Sequence, residues 1–262
     1  MISSNSNRKL NLILRLIGED NINQTELFIN SVINRDFHEF QSEDELDVYF
    51  EDNLKHLYET TSYDDLDILK SYSGISFKDI NAILRNNWTY DYNGLLTEEK
   101  RKYSQEIAEK IRKIILKSSE VPINMKVYRG VGLSNFRDYG ITRIEELVYL
   151  KGEYYYDGGF TSTALLRGRS FFNRPLEWHD TCNIEIEYLV PEEYKDGVPL
   201  LTSELSYSPA QTEYLLNCDN LSKIIDVKIS PNKDSAHITM VLIPQKVWDK
   251  YYTPSIESPP IK

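Results

Sequence analysis

Two side chains, the amide of Gln211 and the carboxylate of Glu213, form the most informative pair in the chain. Residues i and i+2 of a strand project to the same face of a sheet, so a strand here would present both groups to one cleft. One group would then recognise an acceptor while the other acts on a sugar. The tripeptide alone is weak evidence, because an exposed glutamate on a strand is usually only solvated.

Two motifs earlier in the chain give this pair more weight. An arginine lies in Tyr128-Arg129-Gly130, and a run of hydroxyl side chains lies in Phe160-Thr161-Ser162-Thr163-Ala164. An arginine, a serine-threonine run and a glutamate in this order resemble the signature of NAD-dependent mono-ADP-ribosyltransferases. Within that family the chain resembles the Rho-inactivating exoenzymes of clostridial type, because two more of their motifs occur here in the same order.

The first of these motifs is upstream, where Tyr72-Ser73-Gly74 is followed by Ile80-Asn81 and Leu84-Arg85. The second is a loop that contains Ser170-Phe171 and Arg174-Pro175. The resemblance implies NAD as the co-substrate and an α+β fold. That fold is a single ADP-ribosyltransferase domain of two packed, mostly antiparallel sheets with an N-terminal helical layer.

Cleavage of NAD sets the chemistry expected of these residues. Breaking the bond from nicotinamide to ribose passes through an oxocarbenium-like transition state, whose positive charge a nearby carboxylate stabilises. We assign that role to Glu213, held in place by Ser162. The guanidinium fork of Arg129 suits a pyrophosphate. The other side chains expected to bind NAD are Arg85, Asn81, Arg174, Phe171 and Phe172, with one phenylalanine stacking on nicotinamide.

The side chain of Gln211 indicates which type of residue accepts the ADP-ribose. A glutamate in its place would pair with the guanidinium of a substrate arginine. An amide instead pairs with another amide, because the NH₂ of each can donate a hydrogen bond to the carbonyl oxygen of the other. Gln211 therefore predicts transfer to an asparagine side chain, and we expect Tyr207 to contact the substrate as well. By resemblance the acceptor is a Rho-type small GTPase, which implies a secreted or delivered effector that acts in a host cytosol.

Two positions depart from the family pattern. The hydroxyl motif normally ends in serine, and here its third position is Ala164. The aromatic residue expected three positions before Gln211 lies one residue earlier, at Tyr207. The alanine keeps open a catalytically idle module that only binds a nucleotide or a partner. The sequence also leaves open an NAD glycohydrolase, which would transfer the ribose to water.

The composition of the chain argues against nucleic acid and metal ions as binding partners. The chain has 262 residues and a formal net charge of −11, which argues against a nucleic-acid partner. Because NAD is an anion, we expect Arg85, Arg129 and Arg174, with Arg167 and Arg169, to make the pocket locally positive. Two cysteines, and four histidines without ligand spacing, predict no metal site.

Export and assembly are also constrained. No apolar run approaches the roughly 18 residues that span a bilayer, and the segment 10–17 lacks the cleavage site of a signal peptide. We expect either that a leader has been removed or that the protein leaves its cell by another route. We expect it to act as a monomer.

The elements that must position these residues follow from the spacing of apolar side chains. One helix is predicted behind an N-cap at Thr97, and a short helix over 77–86 behind Ser76. Beyond residue 122 the apolar period changes from helical spacing to two, which predicts strands in the segments 184–190, 225–229 and 238–242.

This change of period divides the chain. We predict that residues 41–250 form the transferase domain, which is helical to about residue 120 and a sheet after it. Residues 1–40 are predicted to be an N-terminal helical extension without an assigned role. Residues 251–262, which contain three prolines, are predicted to be a frayed tail.

Overall fold

The computed structural model describes residues 17–85, 97–118, 123–172 and 181–248. The helices of these segments are α1 (Glu19–Val32), α2 (Glu43–Thr60), α3 (Tyr63–Ser71), α4 (Phe77–Leu84), α5 (Glu98–Lys117) and α6 (Gln245–Trp248). The strands are β1 (Met125–Val131), β2 (Tyr154–Asp157), β3 (Thr161–Ala164), β4 (Ile184–Val190), β5 (Gly197–Leu200), β6 (Glu213–Leu216), β7 (Asn220–Ile229) and β8 (Ala236–Ile243). None of the described helices is long and apolar enough to cross a membrane.

The helix starts follow local sequence in one case and tertiary context in another. α5 begins as predicted, because the Thr97 hydroxyl accepts a hydrogen bond from the Lys100 N–H at 3.3 Å. The cap predicted at Ser76 is wrong. Ser76 is itself helical and makes no capping bond, because α4 continues directly from a π-helical turn over Tyr72–Ser76.

The strands form one hydrogen-bonded sheet of eight, in the order β2-β7-β8-β4-β1-β3-β6-β5. The pairs are antiparallel except β4 with β8, so the predicted mostly antiparallel arrangement is confirmed. The expected two sheets are joined here into a continuous ladder. A single register pair, Tyr128 with Ala164, connects β1 to β3 and so links a group of five strands to a group of three.

Alternate side chains of β6 face two different apolar clusters. Tyr214 and Leu216 belong to a cluster with buried residues of β1, β4, β7 and β8. Leu215 belongs to a second cluster, which it shares with buried residues of α2 to α5. The group β3-β6-β5 therefore packs against the other strands on one face and against the helices on the opposite face.

The described part of the predicted N-terminal extension packs against the same sheet. Ile29 of α1 is buried in the first cluster. The Glu26 carboxylate accepts hydrogen bonds from the Tyr154 hydroxyl at 2.5 Å and from the Lys223 ammonium at 2.7 Å. These contacts attach α1 to β2 and β7, at the edge of the sheet.

Candidate active site

A cavity of about 830 Å³ opens between the helical segment 71–85 and side chains of β1, β3 and β6. This volume lies in the range of roughly 300–1,000 Å³ that is usual for small-molecule and cofactor sites. Most of the predicted site residues line it, namely Asn81, Arg85, Arg129, Ser162, Phe171, Tyr207, Gln211 and Glu213.

Glu213 begins β6 and is only 4% exposed. Its register partner on β3 is Ala164, so Ser162 projects from the same face of the sheet, and the Ser162 hydroxyl donates a hydrogen bond to the Glu213 carboxylate. Burial raises the pKa of Glu213 to about 7, although this hydrogen bond and the charge of Arg129 both act to lower it. A positive charge placed in the cavity would therefore favour the ionised carboxylate.

Gln211 lines the cavity from a turn and not from the predicted strand. It ends a 3-10 turn over Pro209–Gln211, and Thr212 then adopts the left-handed conformation with φ of 49°. The Thr212 carbonyl accepts a hydrogen bond from the Leu165 N–H at 2.9 Å. The expectation that Gln211 and Glu213 alternate along one strand is wrong. Both line the cavity because the chain turns sharply at Thr212 between them.

Tyr207 lies at the mouth of the cavity and is 65% exposed. Its N–H donates to the Ser73 hydroxyl at 3.0 Å, and its ring packs on Gly74, where an added Cβ would lie 2.7 Å from the ring. The ammonium of Lys70 lies 5.4 Å from the ring centroid. Tyr207 therefore connects the segment that precedes Gln211 to the π-helical turn on the opposite side of the cavity.

Two buried polar atoms of the cavity wall make no hydrogen bond to the part of the chain that the structure describes. Arg129 Nη1 and Asn81 Oδ1 have no hydrogen-bond partner among the described residues, although Asn81 Nδ2 donates to the Tyr72 hydroxyl at 3.0 Å. Buried donors and acceptors are normally satisfied, so both atoms fit a polar ligand in the cavity. A dinucleotide with a diphosphate and hydroxyl groups offers the complementary chemistry for both.

Arg85 and Arg129 share one carboxylate. Arg85 donates to Asp157 from Nε at 2.6 Å and from Nη2 at 2.9 Å, and Arg129 Nη1 lies 3.6 Å from Asp157 Oδ2. The sequence motifs assign no role to Asp157. Two arginines predicted to lie in one pocket were the available signal that a buried carboxylate would accompany them.

The two phenylalanines lie at one cavity wall but differ in what they contribute. Phe171 lines the cavity and is 41% exposed, as a residue that stacks on a ligand requires. Phe172 is not among the described lining residues. Its backbone instead packs on Gly130, where an added Cβ would lie 2.3 Å from the Phe172 nitrogen. Arg174 lies outside the described residues.

The expectation that Arg167 and Arg169 make the pocket positive is wrong. Arg167 donates to the buried carboxylate of Glu185 at 2.8 Å, and Arg169 pairs with Glu43 at 2.8 Å. Neither arginine lines the cavity. Within the part of the chain that the structure describes, no group of three or more His, Cys, Asp or Glu side chains is arranged to hold a metal ion.

A comparison with known proteins agrees with this geometry. The sequence pattern of the ADP-ribosyltransferase exoenzyme family matches residues 46–245, which include all of the cavity-lining residues. The chain belongs to the ADP-ribosyltransferase exoenzyme family. The protein is thus an NAD-dependent ADP-ribosyltransferase, with NAD as its co-substrate, and the family resemblance stated from the motifs is confirmed. No curated protein sequence shows a significant match to this exoenzyme.

Solved structures share the exoenzyme's fold at low sequence identity. C3stau2 from S. aureus, solved with NAD, has a TM-score of 0.64 and 24% identity over 80% of this chain and 100% of its own. The Clostridium limosum C3 exoenzyme has a TM-score of 0.60 and 23% identity over 80% of this chain and 98% of its own. The Vis toxin from Vibrio splendidus has a TM-score of 0.55 and 15% identity over 83% of this chain and 92% of its own.

Proposed function

We propose that the exoenzyme transfers ADP-ribose from NAD to the side-chain amide of an asparagine in a host protein, and that this acceptor is a Rho-type small GTPase. One observation carries the acceptor assignment: the Gln211 amide lines the same cavity as the Glu213 carboxylate. The resemblance of its motifs to those of the Rho-inactivating exoenzymes supports the choice of target. We further propose that it acts as a monomeric effector in the host cytosol.

In this proposal Glu213 stabilises the positive charge that develops on the ribose as nicotinamide leaves. The Ser162 hydroxyl fixes the orientation of the Glu213 carboxylate. Without this hydrogen bond, the side chain of a glutamate at the start of a strand would be free to rotate. Arg129 Nη1 and Asn81 Oδ1, which have no hydrogen-bond partner among the described residues, are the groups that bind the cofactor directly. Phe171 supplies an exposed ring for stacking on nicotinamide.

Gln211 then selects the nucleophile. Its side-chain oxygen accepts from the NH₂ of an asparagine, and its own NH₂ donates to the asparagine carbonyl, so the acceptor nitrogen is oriented toward the ribose. Gln211 brings no charge of its own with which to attract a guanidinium, so a substrate arginine would lack the fork-to-carboxylate pairing. Tyr207, exposed at the mouth, contacts the surface of the acceptor around that asparagine.

The test replaces the amide by a carboxylate. Gln211→Glu is expected to suppress labelling of asparagine by at least about tenfold, because an unpaired negative charge would then face the asparagine carbonyl. It should largely spare the slow hydrolysis of NAD by water, which needs no recognition by this side chain. The control is Gln24→Glu, which makes the same charge change at an exposed position on α1.

Both activities are measured on the same preparations with labelled NAD, and the modified residue is mapped by mass spectrometry. If the wild type labels arginine, the asparagine assignment is wrong. If Gln211→Glu loses transfer and hydrolysis in parallel, Gln211 serves the NAD site itself. Hydrolysis by the wild type without any labelled protein in host lysate would instead identify the protein as an NAD glycohydrolase.

A further inference from the structure

Asp157 is a buried acid that pairs with Arg85 and Arg129 of the cavity wall, and the sequence motifs assign it no role. It is the last residue of β2 and is 6% exposed. Burial alone would raise the pKa of Asp157, but the charges and hydrogen bonds of Arg85 and the charge of Arg129 hold it below its ordinary value. Asp157 is therefore a buried, ionised carboxylate, which is rare unless it is paired.

The two carboxylate oxygens of Asp157 contact different groups. Oδ1 accepts from Arg85 Nε at 2.6 Å and from the Gly159 N–H at 3.0 Å, so it holds both an arginine and the turn into β3. Oδ2 faces the cations, with Arg85 Nη2 at 2.9 Å and Arg129 Nη1 at 3.6 Å. Thr161 adds a long hydrogen bond to Oδ2 at 3.4 Å.

This arrangement controls where two guanidinium groups lie. Like charges that share a partly buried wall repel each other, and a carboxylate between them removes most of that repulsion. The fork of Arg85 is engaged by Asp157 on two of its nitrogens. Arg129 stays at a longer distance, and its Nη1 has no hydrogen-bond partner within the described segments. One carboxylate thus anchors one arginine and leaves the other available to a diphosphate.

We infer that Asp157 is a positioning residue for NAD: it holds Arg85 and Arg129 in the cavity wall so that the Arg129 fork meets the diphosphate. The inference rests on the proposed role of Arg129 in binding NAD and is independent of which acceptor is modified. Its test is therefore an NAD-binding measurement, whereas the acceptor proposal is tested by protein labelling.

The decisive variant is Asp157→Asn. The asparagine oxygen can still accept from Arg85 Nε and from the Gly159 N–H, so the turn that leads to Ser162 is preserved. Its NH₂ replaces Oδ2 and meets the N–H groups of Arg85 and Arg129, donor against donor. We expect the dissociation constant of NAD to rise by at least about tenfold, as the loss of a charge-assisted contact predicts, while kcat at saturating NAD stays within about threefold.

The matched control is Asp219→Asn. Asp219 forms an ion pair with Arg112 and accepts from the Tyr156 hydroxyl at 2.6 Å, but neither Asp219 nor Arg112 lines the cavity. The control therefore breaks another partly buried arginine-aspartate pair without touching the NAD site. We expect it to lower the thermal unfolding midpoint and to leave NAD affinity within about twofold.

A second variant keeps the test valid if Asp157→Asn fails to fold. Asp157→Glu retains the negative charge, and so avoids an uncompensated arginine, but its longer side chain displaces both guanidinium groups. Calorimetric titration with NAD should again give a weaker complex. The inference is overturned if a folded Asp157 variant binds NAD as the wild type does, or if Asp219→Asn weakens NAD binding equally.

Discussion

Replacement of Glu213 by glutamine is expected to inactivate the enzyme and also to stabilise its fold. The carboxylate is 4% exposed, and burial raises its pKa to about 7 from an ordinary value of 4.5. As pH rises, the Glu213 carboxyl ionises at a lower pH in the unfolded chain than in the folded protein. Ionisation therefore stabilises the unfolded state more than the folded state and lowers the free energy of unfolding. Glutamine has nearly the same shape and carries no such penalty.

The size and sign of the effect follow from the difference between the two pKa values. A folded-state pKa that is raised favours the protonated form, so Glu213 costs no stability below about pH 4.5. The cost grows as pH rises toward 7 and is constant above it. Each pKa unit corresponds to about 1.4 kcal/mol, so the full cost is about 3 kcal/mol.

The assay is urea denaturation of the wild type and Glu213→Gln at two pH values. The stability advantage of the variant should increase by about 2 to 3 kcal/mol between pH 5 and pH 8. Glu59→Gln, at an exposed position on α2, is the control and should show no such increase. An advantage of Glu213→Gln that is the same at both pH values would refute the buried, high-pKa carboxylate.

The same variant tests the chemistry. Removing one electrostatic stabiliser of a transition state typically costs on the order of 100-fold or more in kcat. We expect both transfer and NAD hydrolysis to fall by at least this factor, while NAD affinity changes only a few fold, because the carboxylate acts on charge that develops during the reaction. Near-native turnover would show that Glu213 is not the catalytic carboxylate.

Two further predictions concern the same cavity. Arg129→Lys should weaken NAD binding by about tenfold or more despite the conserved charge, because lysine cannot form the bidentate contact of a guanidinium. Calorimetric titration of both proteins with NAD measures this difference. Equal affinities would mean that the cofactor binds elsewhere. The kcat/KM for NAD should rise with pH and level off above about 7, because the ionised form of Glu213 is required and its pKa in the free enzyme is about 7. Equal values well below and above this pH would contradict the required ionisation.

Some features were predictable from the sequence because they depend on neighbours a few residues apart. The cap of α5 at Thr97 needs only the amide of Lys100. The alternation of apolar side chains over 184–190 identifies β4 before any partner strand is known. The motifs around Arg129, Ser162 and Glu213 led to the ADP-ribosyltransferase family, since Arg129 suits the diphosphate of NAD and the other two suit cleavage of its bond to nicotinamide.

The geometry of the cavity was not predictable in this way, because its decisive contacts join distant parts of the chain. Tyr207 contacts Ser73 across 134 positions, and Arg85 pairs with Asp157 across 72. The left-handed turn at Thr212 that places Gln211 beside Glu213 likewise depends on a contact with the end of β3. The sequence by itself determined which chemical groups are available for NAD. Tertiary packing decided which of them meet, because only folding brings distant charges to a common carboxylate and removes water from Glu213.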